Sequence, residues 1–179
     1  MKVHRLEVFD LCKQIAPKHG FDPFLIMAIC EQETEKDKKD PDVYRPDVAR
    51  LEQNFYRRYV LPADFSTTTE VLLSASYGIM QMMGQSLYER GFFAWHLAQL
   101  PKSGTFVDPV QNIHVAYALD NYCEHPEWNI EWGCRHLSEK RKKSGGSEIK
   151  MLGLWNGDMS GKYANEVMTR IPLLKKGFA

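Results

Sequence analysis

No stretch of this 179-residue chain is apolar for long enough to span a bilayer, and no membrane insertion is expected. Net charge is also missing. The 23 Lys and Arg residues balance 23 Asp and Glu, so no global field draws the chain to nucleic acid or to a membrane surface. Cysteine is sparse. Cys12, Cys30, Cys123 and Cys134 form no CxxC pair, which argues against a zinc site. The six histidines show no HExxH or other metal spacing. There is no Gly-rich phosphate loop and no local Ser/His/Asp motif. Residues Met1 to Asp10 lack the uninterrupted apolar centre of a signal peptide, so synthesis and folding in the cytoplasm are expected. In that compartment free thiols are the expectation, although Cys123 and Cys134 flank the break Glu124-His125-Pro126 and could approach each other.

What is present is ordinary globular composition in a length that suits one domain, 1–179. The patterning reads almost entirely as helix. Residues 3–16 carry apolar groups at helical spacings and stop at Pro17 and Gly20. Asp22-Pro23 supplies a cap and a first-turn proline for a helix that is apolar almost all round from Phe24 to Cys30, which places it in the core. From Glu35 to about Ser66 the pattern fails, and prolines recur at 41, 46 and 62. A loop of that length is usually functional or disordered. Its aromatics Tyr44, Phe55, Tyr56 and Tyr59 suggest a packed flap over a cleft. Further helices are expected from Thr68 into Ala75, over 85–91 and 92–100, from Asp108-Pro109 to about Cys123, over 129–144, up to Trp155 and over 162–171. In the 129–144 helix Ile130, Gly133, Cys134 and Leu137 should face inward, and Arg135, Glu139, Lys140 and Arg141 outward. The run Lys140-Arg-Lys-Lys143 reads as a solvated helix end, favourable near the C-terminal dipole.

Three short motifs carry chemistry. Glu33-Thr34 closes the apolar helix. Gly78-Ile79-Met80-Gln81 follows, then Leu154-Trp155-Asn156-Gly157 with Tyr163 beyond it. A carboxyl at the end of a buried helix is suited to donate a proton, since apolar surroundings raise its pKa toward neutrality. Gly78 permits close backbone approach. Gln81 both donates and accepts, which suits sugar hydroxyls and acetamido groups. Ser76 and Tyr77 stand just before it.

Taken in this order, the motifs resemble those of the soluble lytic transglycosylase and goose-type lysozyme group of peptidoglycan-cleaving enzymes. Those read Glu-Ser, Gly-Leu-Met-Gln, Ala-Tyr-Asn and a later Tyr. The stretch Asn129 to Leu137 resembles that group's structural helix between the second and third motifs. Leu51 to Tyr59 resembles a loop of phage-type members. Three features depart from the pattern. Thr34 replaces Ser but keeps a hydroxyl, Trp155 replaces Tyr and loses one, and insertions separate Thr34 from Gly78 and occupy Asp108 to Glu127.

The resemblance implies an all-α, lysozyme-like single domain with a catalytic cleft. The cleft would be formed by the 35–66 flap, the 76–83 turn and the 154–163 segment around helix 22–34. It implies cleavage of the β-1,4 bond between N-acetylmuramic acid and N-acetylglucosamine, with Glu33 as catalytic acid and then base, giving 1,6-anhydro products without metal or cofactor. Ser76, Gln81, Trp155, Asn156 and Tyr163 would bind substrate, Tyr163 by hydrogen-bonding Glu33. The partner would be the peptidoglycan glycan strand. The oligomeric state stays open, with a monomer favoured, and the lack of a signal peptide and of a wall-anchoring domain suggests a phage lysin or virion-associated enzyme. A hydrolytic goose-type lysozyme is the alternative. It needs a second carboxylate, at roughly 6.5–9.5 Å for an inverting route, and Glu52 and Glu70 stand beside the loop and the turn. A non-catalytic wall-binding or virion structural module is the other alternative, and retention of both Glu33 and Gln81 argues against it.

Overall fold

A computed structural model describes residues 2–34, 39–47, 49–51, 65–100, 108–109 and 111–178. It is mostly helical. Helix α1 is Arg5–Ile15 and runs into a 3-10 turn, Ala16–His19. Helix α2, Pro23–Glu33, begins as the sequence dictates. The Asp22 carboxylate accepts the Phe24 N–H at 2.9 Å, and Pro23 occupies the first turn, where no N–H is needed. Leu25 to Cys30 are buried without interruption, so α2 is the centre of the first core. Helix α1, the 3-10 turn and three later helices surround it: α7 (Pro126–Lys143), α8 (Glu148–Asn156) and α9 (Lys162–Gly177).

A second core gathers α3 (Thr67–Leu73), α4 (Gly84–Glu89), α5 (Phe92–Gln99) and α6 (Asn112–Glu124) with Trp132 of α7. Edge-to-face rings dominate it. Phe92 meets Tyr122 at 5.1 Å and Trp132 at 5.4 Å between centroids, separations at which the ring quadrupoles attract. Trp155, on α8, packs against both cores. All four cysteines are free and buried. No helix among the described residues is long and apolar enough to cross a membrane.

Several elements differ from the sequence pattern. Among the described residues five short strands form two antiparallel ribbons. In one, β1 (Val3–His4) pairs with β2 (Val43–Tyr44). In the other, β3 (Arg50–Leu51), β4 (Ala75–Tyr77) and β5 (Met82–Met83) lie in that order, with Arg50 opposite Ser76 and Ser76 opposite Met83. Strands this short show no period of their own. Ala75 belongs to β4, because α3 has already ended at Leu73. Asp108-Pro109 does not open a helix, which starts instead at Asn112. Pro126 is the first-turn proline of α7 rather than a break before Asn129. Helix α9 runs through Pro172 to Gly177, past the expected end at Ile171. Tyr44 does not line the cleft but belongs to the first core. It is fully buried, and its hydroxyl donates to Glu31 at 3.1 Å. Phe55, Tyr56 and Tyr59 lie outside the described residues.

Candidate active site

Glu33 is the last residue of α2, and it is 9% exposed. Its Oε1 accepts the Tyr163 hydroxyl at 2.6 Å and the Trp155 indole N–H at 3.3 Å. Burial first, then the charge of Glu33, pushes the Tyr163 phenol well above its ordinary pKa, so the hydroxyl stays a donor. The Trp155 indole thus supplies a donor to the carboxylate where the resembling motif has a Tyr hydroxyl. Tyr163 is placed by its own backbone: the Asp158 carboxylate accepts the Tyr163 N–H at 2.9 Å and caps the start of α9. The Arg50 guanidinium donates to the Glu33 carbonyl at 2.6 Å, satisfying an acceptor that the helix end leaves open.

The second motif is a turn locked to its surroundings. The Thr34 hydroxyl donates to the Ile79 carbonyl, tying the end of α2 to the turn. Gly78 has φ +76°, and a Cβ there would fall 2.0 Å from Asn129 Oδ1, so only glycine fits. Buried Asn129 earns that space: its Oδ1 accepts the Ile79 N–H, and its amide donates to the Tyr122 and His125 carbonyls. Met80 closes over Gly133 of α7, where an added Cβ would lie 2.3 Å from its sulfur. Gln81 takes the left-handed φ of +46°. Its amide donates to the Gly78 carbonyl at 2.8 Å and accepts the Ser76 hydroxyl at 3.0 Å, so its first duty is to hold the turn.

These groups line one side of a cleft of about 660 Å³. Glu33, Ser76, Gln81, Trp155 and Asn156 all reach it, with Asn156 exposed at the lip, and Tyr163 stands behind Glu33. Tyr77 does not. It packs in the second core and donates to the Leu72 carbonyl at 2.8 Å. Glu70 lies in the first turn of α3, away from the cleft wall, and Glu52 is outside the described residues. Besides Glu33, the carboxylate that lines the cleft among the described residues is exposed Glu89. No group of His, Cys, Asp and Glu among the described residues could hold a metal ion.

Part of the cleft lining is basic. Lys140 and Lys143 line the cleft with Arg90 and His136. Lys140 therefore does not face outward into bulk solvent as its place in a charged run suggests. Arg141 also turns inward, donating to the His19 and Gly20 carbonyls at 2.8 Å and covering the Phe21 ring. His136 lies against Trp155 at 5.2 Å. Burial, then the charges of Arg90, Lys140 and Lys143, pushes its imidazole down to about 3, so it is neutral at neutral pH. The available signal for this wall was spacing: 136, 140 and 143 are i, i+4 and i+7 on α7, one helix face. The chain matches no family model, no curated protein and no solved structure.

Proposed function

We propose that this protein cleaves the β-1,4 bond between N-acetylmuramic acid and N-acetylglucosamine in peptidoglycan, as a lytic transglycosylase acting in a lysozyme-like cleft. The observation that carries the reading is Glu33, a nearly buried carboxyl lining a large cleft, whose Oε1 accepts from Tyr163 and Trp155. In its acid form the Glu33 carboxyl carries the proton that the reaction needs. That proton passes to the glycosidic oxygen as the bond to the anomeric carbon breaks. The resulting carboxylate then takes the proton of the muramic C6 hydroxyl as that oxygen closes on the anomeric carbon. One carboxyl serves both steps, and the acid form is regenerated. The C6 hydroxyl belongs to the same sugar, so proximity replaces an activated water.

The order of the motifs along the chain supports the same reading, since all three meet at this cleft. A zymogram on purified peptidoglycan tests it. The protein should clear the gel and its Glu33→Gln variant should not. An inactive wild-type protein that still sediments with the wall would instead mark a binding module.

A further inference from the structure

Helix α2 ends in Glu31-Gln32-Glu33, and its last turn carries no basic residue of its own. The C-terminal end of a helix is the negative end of its dipole, so two carboxylates there are ill placed unless cations come from elsewhere. Arginines distant in sequence supply them. Arg5 of α1 donates to Glu31 Oε1 at 2.7 Å, and Arg170 of α9 stands 3.8 Å from Oε2. Arg50 reaches Glu33 through the main chain: its guanidinium donates to the carbonyl at 2.6 Å, a short bond assisted by charge. The chain leaves the helix at Thr34, whose φ of −83° and ψ of 136° are extended, and the Glu33 carbonyl is one that the helix itself leaves open. Arg50 is fixed in turn. It sits on β3 opposite Ser76 of β4, and the Ser76 hydroxyl donates to Gln81 at 3.0 Å. The same turn is tied back to α2, because the Thr34 hydroxyl donates to the Ile79 carbonyl. The contacts close a ring, from Glu33 to Arg50, across the ladder to Ser76, round the Gly78–Gln81 turn and back to Thr34. Glu33 is therefore gripped twice, its carboxyl by Tyr163 and Trp155 and its carbonyl by Arg50.

We propose that Arg50 is a positioning residue for the reaction: by holding the Glu33 carbonyl it sets the main chain from which the carboxyl springs, and so aims the acid. The inference rests on the glycosidase reading above. A helix end frays readily, and a turn of the main chain at Glu33 is carried along the side chain into a shift of the carboxyl. A misplacement of about 1 Å can cost about a hundredfold in rate. Tyr163 and Trp155 hold the tip of the side chain, whereas Arg50 holds its root. Arginine suits the task because its guanidinium stays charged at any working pH. Strand β3 also lies inside the 35–66 stretch expected to cover a cleft, so part of that stretch serves to place the acid.

The test follows turnover of soluble strands of purified peptidoglycan by the wild-type protein, Arg50→Gln, Arg50→Lys, Tyr163→Phe and the Arg50→Gln/Tyr163→Phe double variant, with a melting curve for each. Arg50→Gln should lower kcat about tenfold and leave KM within about twofold. Arg50→Lys keeps a cation that can reach a single carbonyl, and should bring kcat back to within about threefold of wild type. The double variant should lose less than the product of the two single losses, because both changes act through the placing of one carboxyl. A rise in KM with kcat unchanged overturns the inference, since Arg50 would then be gripping substrate. So does a Lys variant no better than the Gln variant, or a double variant whose losses simply multiply. An Arg50→Gln variant that fails to fold overturns it as well, marking Arg50 as a prop of the fold. Wild-type turnover by Arg50→Gln removes the positioning role alone. A wild-type protein that cleaves nothing overturns the glycosidase reading, and this inference with it.

Discussion

The two ends of the cleft are built on opposite principles. At the Glu33 end the polar groups answer one another: Tyr163 and Trp155 on the carboxylate, Arg50 on its carbonyl, Thr34 on Ile79, Ser76 and Gly78 on Gln81. At the basic end Gln85, Arg90 and His136 each keep a buried atom without a partner, and two lysines face the cleft without ion pairs among the described residues. Buried polar groups normally find partners because leaving one unmade costs about 1–3 kcal/mol. The first end is therefore held in one geometry, which the proton transfers of the proposed reaction require.

Substitutions at the preorganised end should be costly. Glu33→Gln keeps the shape and removes the proton, so lytic activity should drop by about 10²–10⁴-fold with the fold intact. Near wild-type clearing by the purified variant would remove Glu33 from the chemistry. Next in size is Gly78→Ala. Its Cβ would lie 2.0 Å from Asn129 Oδ1 in a left-handed backbone, displacing the group that holds the Ile79 N–H. A loss of about 3–5 kcal/mol is expected, seen as a shift of the denaturation midpoint with unchanged slope. A shift under about 1 kcal/mol would mean that the turn yields and is not locked.

Tyr163→Phe keeps the ring packing and deletes the 2.6 Å bond to Glu33. A hydrogen bond to a charged group is worth about 1.5–3 kcal/mol, so kcat should fall about tenfold or more with little change in melting temperature. Unchanged kinetics would leave Tyr163 a packing residue.

The smallest effect concerns pH and reaches outside the cleft. His96, in the second core, is pushed down to about 4 by burial, then by His114 and His125, and His136 lies at about 3. Both are neutral in the fold, whereas in the unfolded chain they titrate near their ordinary value of about 6.5. Between these values the unfolded state binds more protons, so stability should fall as pH drops from about 6.5 toward 4. Melting temperatures across that range check it. A flat or rising profile on acidification would show that neither imidazole is held neutral.

Much of the acid end was legible in the sequence because its parts are local. Asp22-Pro23 and an unbroken apolar run define α2, and Glu33 falls at its end by counting. Gly78 signals a turn by its type, whereas the left-handed φ of Gln81 is not foreseeable from its type. Other features come from tertiary contact. The requirement for Gly78 is set by Asn129, 51 residues later, and no local pattern encodes that pairing. Arg50 sits where an irregular stretch hides a two-residue strand. The basic end was masked for a different reason. Lys140 and Lys143 stand in a run of four cations, which reads as solvated surface until His136 and the packing of α7 show which face is turned to the cleft. Glu89 escaped notice because a lone acidic residue at a helix end has many ordinary uses.

The central claim is that one carboxyl, Glu33, performs both proton transfers. Mass spectrometry of muropeptides released from purified peptidoglycan tests it most directly, together with the Glu89→Gln variant, which removes the other carboxylate lining the cleft among the described residues. The account predicts products ending in 1,6-anhydro-N-acetylmuramic acid, and the same products at a similar rate from Glu89→Gln. Products one water heavier, lost when Glu89 is replaced, would contradict it and make the protein a hydrolase with Glu89 as the base.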